Sequence, residues 1–215
     1  MSEKGLSGVT VAAFESRMAV EMTRLIERYG GRPSVAPALR ELPIQDNPTA
    51  LRFGVRLIEG QVDVLVLMTG VGTTALFDIL KARHPLSSIM VGVKQTAIVA
   101  RGPKPVAALK ALGITPALIV PEPNTWVDVV STLDEYRPVK GLRVAVQEYG
   151  SSNPEFLEAL RVRGADVFPV PVYKWGLPED LAPLRQVLAD VVAGDISVML
   201  ITNAAQIDHV MQLLE

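Results

Sequence analysis

The sequence contains no cysteine and only two histidines among its 215 residues. The absence of cysteine excludes disulfide bonds, thiolate nucleophiles and zinc–thiolate sites. Any metal site would need oxygen ligands, and Asp and Glu show no clustered spacing for one. His84 stands beside a proline and His209 lies in a helical pattern, so both are interpreted as structural or surface residues. We therefore predict no metal site.

An excess of charge and long apolar runs are also missing. The formal net charge is −2, which gives no global attraction to nucleic acid or to an anionic membrane. No apolar run approaches the roughly 20 residues of a membrane helix, and the N-terminal MSEKGLSG lacks the apolar region of a signal peptide. The hydrophobic content of 49% is ample for a core. We expect a soluble, cytoplasmic protein with one large or two smaller domains.

The stretch from Asp63 to Leu80 combines a strand, a glycine turn and a helix. Its apolar segment, Val64 to Met68, is too short for a buried helix and is typical of a buried parallel strand. The turn TGVGTT follows from Thr69, and a helix that begins there has free N–H groups that can bind a carboxylate. A tight turn without a ligand is the alternative. No lysine follows the second glycine, so the turn is not a P-loop, and nucleotide binding is disfavoured.

Parts of the sequence recur at a constant separation. Three pairs of landmarks share it, namely Thr69 and Thr202, Gly8 and Gly141, and Gly31 and Gly164. The first pair stands in two strand–turn–helix patterns, and the others begin a strand and end a helix. Three pairs at one separation predict an internal duplication. The alternative is that strands of α/β proteins resemble one another.

Strands alternate with helices along the chain, which predicts parallel, doubly wound sheets. The proline-rich segment 39–48 is a candidate linker. We predict a loop over 84–88, a strand over 89–93, and a helical or irregular segment over 95–99. In such folds ligands bind at the carboxyl ends of the strands. The candidate turns there are Ser16–Arg17, Thr69–Thr74, Tyr149–Ser152 and Thr202–Asn203.

Two further segments carry candidate functional side chains. ARGPKP places Arg101 and Lys104 just before a helix, where a bound anion would offset their unfavourable interaction with the helix dipole. A solvated basic turn is the alternative. Tyr173 lies in an extended segment, and a tyrosine with a pKa of about 10 can donate a proton to a leaving oxygen at pH 7. A packing role at a domain junction is the alternative.

Five segments, in order along nearly the whole chain, resemble the uroporphyrinogen-III synthase family, especially its bacterial branch. They are Arg17 after the first strand, the TTGVG-like Thr69 to Gly72, ARGPKP from Ala100, VQEYG from Val146 and VPVYKW from Val170. Each motif is weak by itself, and the order and spacing make the match specific.

The resemblance implies an α/β fold with two Rossmann-like (flavodoxin-like) parallel-sheet lobes, joined by a two-stranded linker. Domain one would comprise residues 1–39 and 175–215, domain two residues 44–169, and the linker strands residues 40–43 and 170–174. The duplication agrees, because each domain would combine the first part of one copy with the second part of the other. The sequence alone also permits two sequential halves.

The resemblance further implies a lyase (hydro-lyase) that cyclises hydroxymethylbilane to uroporphyrinogen III, with inversion of ring D and loss of water, in tetrapyrrole (haem, sirohaem, cobalamin) biosynthesis. The substrate is a linear tetrapyrrole with eight carboxylates, and neither a metal nor an organic cofactor is needed. Tyr173 matches the tyrosine of the family's VY motif and would help the hydroxyl leave, from a cleft between the lobes where its own hydroxyl is accessible. The implied substrate contacts are Arg17, Thr69, Gly70, Val71, Gly72, Arg101, Lys104, Tyr149, Thr202 and Asn203. Asn203 is a departure, since relatives often have serine there.

Two other functional classes stay open at this point. One is a non-enzymatic, two-lobed small-ligand-binding protein, and the other is a sugar- or nucleotide-processing enzyme, which the missing phosphate fingerprint disfavours. The repeat also bears on length, because moving the later elements of the first copy forward by the repeat separation passes Glu215. We therefore expect a chain truncated at its C-terminus by roughly 40 to 50 residues, with reduced or no activity. The full-length protein is expected to be a monomer without nucleic acid or membrane partners.

Overall fold

The computed structural model describes residues 5–44 and 46–214, except for the side chain of Tyr149. The chain forms two compact units. Unit 1 comprises Met1–Leu42 and Trp175–Glu215, and unit 2 comprises Pro43–Lys174. Chain passages between the units thus fall after Leu42 and after Lys174. The assignment of domains at the predicted boundaries stays a prediction.

The described residues form nine strands and nine helices, which alternate along most of the chain. In chain order they are β1 (Thr10–Ala13), α1 (Ala19–Arg28), β2 (Arg32–Val35), β3 (Arg40–Pro43), α2 (Pro48–Ile58), β4 (Val64–Leu67), α3 (Gly70–Lys81), α4 (Leu86–Gln95), β5 (Ala97–Ala100), α5 (Pro103–Ala111), β6 (Leu118–Ile119), α6 (Trp126–Tyr136), β7 (Arg143–Gly150), α7 (Pro154–Arg161), β8 (Asp166–Gly176), α8 (Ala182–Ala193), β9 (Val198–Leu200) and α9 (Ala204–Leu214). None of these helices is long and apolar enough to span a membrane. The predicted α/β class with parallel sheets is confirmed.

Unit 2 is organised around a sheet whose strands follow the order β8-β7-β4-β5-β6. The pairs β8–β7, β7–β4, β4–β5 and β5–β6 are parallel. All four residues of the central strand β4 are buried, as expected for a parallel strand that helices cover on both faces. On one face, α6 and α7 contribute Val129, Leu133, Phe156 and Leu160 to the core. The parallel arrangement brings the carboxyl ends of β7, β4 and β5 to one edge.

Helix α6 shows how local sequence fixes an element of this unit. Thr125 and Asp128 form a reciprocal capping box at its first turn. The Thr125 hydroxyl and backbone N–H both donate to the Asp128 carboxylate, at 2.6 and 2.7 Å. These bonds stabilise the charged form, so the pKa of Asp128 is lowered. Side chains therefore fix the start of α6.

Unit 1 contains a three-stranded parallel sheet in the order β2-β1-β9. Side chains of β1 alternate between its two faces, as strand geometry requires. Ala12 and Phe14 pack with residues of α8 and α9, whereas Val11 and Ala13 pack with Ile26 of α1. The ends of β1 and β9 are therefore adjacent, and the turns that follow them lie side by side.

The prediction for residues 84–99 is wrong. Leu86–Gln95 is the helix α4, and the strand is Ala97–Ala100. The buried residues of α4 are Ile89, Gly92 and Val93, which is helical spacing. Gly92 is placed so closely against α2 that an added Cβ would lie 2.3 Å from the Leu57 carbonyl oxygen. The apolar residues of this short run therefore follow the helical period and not the strand period.

The internal duplication stays a prediction, although some structural features recur at its separation. Gly8 and Gly141 both have a positive φ, 77° and 73°. They form one of the three landmark pairs and precede β1 and β7. Helices α3 and α9 start at Gly70 and Ala204, which is close to the same separation. These similarities make the two units comparable turn by turn.

Candidate functional site

The carboxyl edge of the unit 2 sheet gathers most of the predicted site residues. Thr69 follows β4, Arg101 follows β5, and Tyr149 lies near the end of β7. The three strands are neighbours in the order β7-β4-β5 and run parallel. Their turns therefore converge at the edge where parallel α/β folds place ligands.

The turn after β4 presents backbone donors that helix α3 does not use. Thr69 is extended, with φ −142° and ψ 151°, and its Oγ1 accepts a hydrogen bond from the Gly72 N–H at 3.0 Å. The Thr73 N–H donates to the Thr69 carbonyl at 2.9 Å, which is the first bond of α3. The N–H groups of Gly70 and Val71 precede that bond and have no partner within the helix. They can bind a carboxylate.

The two glycines of this turn are required by packing. A Cβ on Gly70 would lie 2.7 Å from the Lys104 carbonyl oxygen, and a Cβ on Gly72 would lie 2.1 Å from Nε2 of Gln147. Both distances are shorter than real Cβ contacts. Gly70 thus lets α3 approach α5, and Gly72 makes room for the Gln147 amide. Packing within the protein therefore explains both glycines without a bound ligand.

Gln147, in the VQEYG segment, is a polar residue of this edge that was not among the predicted site residues. It is fully buried within β7, opposite Leu67 at the end of β4, and its Oε1 accepts from the backbone N–H groups of Met68 and Thr69, at 3.2 and 3.3 Å. Its Nε2 donates to the Glu148 carbonyl. The amide thus ties β7 to the end of β4 beneath the turn. A glutamine that interrupts the buried run RVAVQ was the available signal.

The turn after β5 holds the two predicted cations. The Arg101 N–H donates to the Leu67 carbonyl at 3.0 Å, which continues the pairing of β5 with β4. Asn124, with its amide nitrogen facing the carbonyls, donates to Arg101 O at 2.7 Å and to Val120 O at 3.1 Å. Lys104 is exposed in the first turn of α5. Asn124 is thus a second supporting residue that the sequence did not reveal.

Unit 1 places Arg17, Thr202 and Asn203 after adjacent strands, β1 and β9. The exposed Arg17 forms an ion pair with Glu41 at 3.1 Å. The Asn203 Oδ1 accepts from the Ala205 N–H at 2.9 Å, which caps the start of α9. These three predicted residues are therefore brought to one edge of the unit 1 sheet.

Two polar residues beside Thr202 were missed. The Thr202 hydroxyl donates to the Glu15 carboxylate. Gln206 is only 3% exposed, and its Oε1 accepts from the Thr202 N–H at 2.9 Å. Its Nε2 donates to the Phe14 carbonyl at 3.3 Å. A glutamine on the buried side of α9, which it shares with Val210, was the signal for this group.

The two predicted tyrosines lie on neighbouring strands. Tyr173 is in β8 and is 6% exposed. The β7–β8 pairing shifts register between Glu148 and Gly150, so Gly150 pairs with Lys174. The side chain of Tyr149, inside this irregularity, lies outside the described residues. The proton-donor role and the accessible hydroxyl of Tyr173 stay predictions.

Comparison with known proteins gives a consistent set of relatives. A Bacillus subtilis (strain 168) protein named "Uncharacterized protein YjjA" is 28% identical over 207 residues, which is 95% of this chain and 74% of that protein. The "Putative uroporphyrinogen-III synthase" of Methanothermobacter thermautotrophicus is 25% identical over 195 residues, 91% of this chain and 73% of that protein.

A crystal structure of a mutant uroporphyrinogen III synthase from the extremely thermophilic bacterium Thermus thermophilus matches with a TM-score of 0.73 and 24% identity, covering 95% of this chain and 77% of that one. This likeness shows a shared fold. The family model described as "Uroporphyrinogen-III synthase HemD" matches residues 20–215. The chain therefore belongs to the uroporphyrinogen-III synthase family.

Proposed function

We propose that the chain cyclises hydroxymethylbilane to uroporphyrinogen III, with inversion of ring D and loss of water. The observation that carries this proposal is the convergence of the Thr69–Gly72 turn with Arg101 and Lys104 on adjacent parallel strands, in a chain of this family. Backbone N–H groups and cations at one sheet edge suit a substrate with many carboxylates.

The proposed reaction asks the protein mainly for positioning. Hydroxymethylbilane loses its hydroxyl to give an azafulvene, which is attacked through a substituted pyrrole carbon, and the spiro intermediate then fragments and recloses. The bilane also closes spontaneously to the wrong isomer, so the enzyme must hold the reacting ends in one geometry. The unit 2 turns would hold carboxylates through the N–H groups of Gly70 and Val71 and the Thr69 hydroxyl.

Tyr173 is the proposed proton donor. In the dehydration step the C–O bond of the hydroxymethyl group breaks, the tyrosine hydroxyl supplies a proton to the departing oxygen, and water leaves. The pyrrole nitrogen lone pair forms the azafulvene double bond and the nitrogen gives up its N–H proton, which balances the proton that Tyr173 donates, so no oxidant or cofactor is required. Arg17, Tyr149, Thr202 and Asn203 are proposed as further substrate contacts. We place this reaction in the cytoplasm as part of tetrapyrrole biosynthesis.

Incubation with enzymatically made hydroxymethylbilane tests the proposal. The products are oxidised to porphyrins, and isomers I and III are separated by chromatography. We expect isomer III with the protein and isomer I in buffer alone. Binding of the bilane with only isomer I formed would instead indicate a two-lobed binding protein. A Lys110→Gln variant, changed at an exposed cation in the last turn of α5, serves as the matched active control.

A further inference from the structure

In the hydrogen bonds around Thr202, it can be determined which atoms donate and which accept. The Oε1 atom of Gln206 accepts from the Thr202 backbone N–H, which can only donate. The Gln206 amide nitrogen must therefore be the donor to its other partners, Phe14 O at 3.3 Å and Glu15 Oε1 at 3.4 Å. One backbone donor thus determines the orientation of the buried amide.

The same reasoning determines where the Thr202 hydroxyl points. An ionised carboxylate only accepts, so the single hydroxyl hydrogen of Thr202 is used on Glu15. The Thr202 Oγ1 also accepts from Gln206 Nε2 at 3.3 Å. Thr202 is exposed and Glu15 is partly exposed. What they present to a ligand is a hydroxyl lone pair and the second carboxylate oxygen, both acceptors.

In the corresponding turn of unit 2, the threonine hydroxyl does not use its hydrogen on a carboxylate among the described residues. Thr69 Oγ1 accepts from the Gly72 N–H, so its hydroxyl hydrogen stays available for a ligand. Glu148, which corresponds to Glu15 at the repeat separation, accepts from the Ser152 hydroxyl at 2.5 Å. No carboxylate occupies the Thr69 hydroxyl in the described hydrogen bonds. Two threonines at one repeat separation therefore differ in what they can offer a ligand.

We propose that Glu15 and Thr202 form a binding site for N–H donors of the ligand. On the proposed function, on which this inference rests, those donors are pyrrole N–H groups. Glu15 lies beside the first turn of α9, where its charge already balances the helix dipole. A ligand carboxylate would face a like charge there. The amide NH₂ of Asn203 also remains a donor at this turn, since its Oδ1 is used by Ala205.

A pair of small probes tests this site directly. The first is a dipyrromethane with carboxylate side chains, and the second is the same molecule methylated on both pyrrole nitrogens. Binding of each is measured by calorimetry to the natural protein, to Glu15→Gln and to Glu148→Gln. Hydrogen bonds to charged groups are worth about 1.5–3 kcal/mol, so N-methylation should weaken binding to the natural protein by about tenfold or more.

The Glu15→Gln variant replaces an acceptor, the outer carboxylate oxygen, with a donor NH₂ group and leaves the size of the side chain unchanged. The Thr202 hydroxyl and Gln206 Nε2 still need an acceptor, so the new amide oxygen takes the inner position and its NH₂ faces the ligand. The penalty for N-methylation should then fall below about threefold. Glu148→Gln removes the same charge from the matched position in unit 2 and should keep the full penalty. Thr202→Val should also reduce the N-methylation penalty. Thermal melts establish that each variant is folded.

The outcomes separate this inference from the proposed function. An equal methylation penalty in all three proteins, or no measurable binding of either probe, overturns the acceptor site. Isomer III formation from hydroxymethylbilane is assayed in parallel. A Glu15-dependent N–H preference without isomer III would support the site and contradict the proposed reaction. Isomer III formation without that preference would support the proposed reaction and contradict the site.

Discussion

Arg143 makes three hydrogen bonds to the carboxylate of Asp63. Its backbone N–H and Nε donate to Oδ2 at 2.8 and 2.9 Å, and its Nη2 donates to Oδ1 at 2.9 Å. The same Nη2 donates to the Gly60 carbonyl at 2.9 Å. Because these bonds favour the charged carboxylate, the pKa of Asp63 falls from 3.8 to about 2. The pair joins the starts of β4 and β7, at the end of the sheet opposite the proposed site.

We predict that Asp63→Asn destabilises unit 2 by about 1 kcal/mol at pH 7, a modest value because both side chains are partly exposed. The folded pKa of Asp63 is depressed to about 2, so its contribution is complete above the unfolded value and is lost as pH falls toward 2. Denaturant unfolding of the natural protein and of Asp63→Asn is measured at pH 7, 4 and 3. The difference between their free energies of unfolding should shrink as the pH falls.

The control for this prediction is Asp78→Asn, which removes a more exposed ion pair with Lys81 on α3. Exposed ion pairs on a helix contribute about 0.3–0.5 kcal/mol, so Asp78→Asn should destabilise the protein less than Asp63→Asn does. A difference for Asp63→Asn that stays constant from pH 7 to pH 3 would show that the Arg143 contact does not act through ionisation.

Gly72→Ala should destabilise the protein by about 1–3 kcal/mol, because a Cβ would displace the Gln147 amide. That amide would lose its bonds to Met68 and Thr69, and formation of isomer III should fall with them. In a double-mutant cycle, Gln147→Ala should remove most of the cost of Gly72→Ala. Thermal melts measure each step. Additive losses would mean that the clash lies elsewhere, and Gly5→Ala, with nothing within 4 Å, is the neutral control.

The strand–turn–helix from Val64 to Leu80 was predictable because every local signal agrees. An uninterrupted β-forming run, a glycine turn and helical spacing all indicate one structure, and β4 and α3 have it. Residues 86–95 were assigned wrongly because their short apolar core, Ile89 to Val93, fits both periods. Burial against α2 selected the helix, and that tertiary contact leaves no local signal.

The chemistry of the site was predictable only at the level of residue type. Thr69 and Thr202 were assigned the same role, since each follows a strand and starts a helix. Their hydroxyls differ because the Thr69 hydroxyl accepts from the Gly72 N–H, whereas the Thr202 hydroxyl donates to Glu15, which comes from a distant part of the chain. A sequence reveals which polar groups are available and not which donor meets which acceptor, so the supporting amides were missed.

Lys104→Gln should weaken binding of the carboxylate-bearing dipyrromethane, and it should reduce the dependence of that binding on salt. Lys104 is exposed in the first turn of α5, where a fixed anion would interact with it through solvent. Such contacts are screened over about 8–10 Å at physiological ionic strength. Calorimetry at two salt concentrations measures the slope. Lys110→Gln, at the other end of α5, should leave the slope unchanged, and equal slopes in all three proteins would remove Lys104 from the site.

Tyr173→Phe should slow isomer III formation by about 10- to 1000-fold, a range that reaches below typical general-acid contributions. Tyr173 is 6% exposed, so phenylalanine keeps the packing of the ring and removes the hydroxyl. Initial rates of isomer III formation, with a thermal melt of each protein, separate catalysis from folding. Tyr136→Phe is the matched control, because Tyr136 is 64% exposed on α6. If Tyr173→Phe melts normally and makes isomer III at the natural rate, Tyr173 is a packing residue and the proton comes from another group.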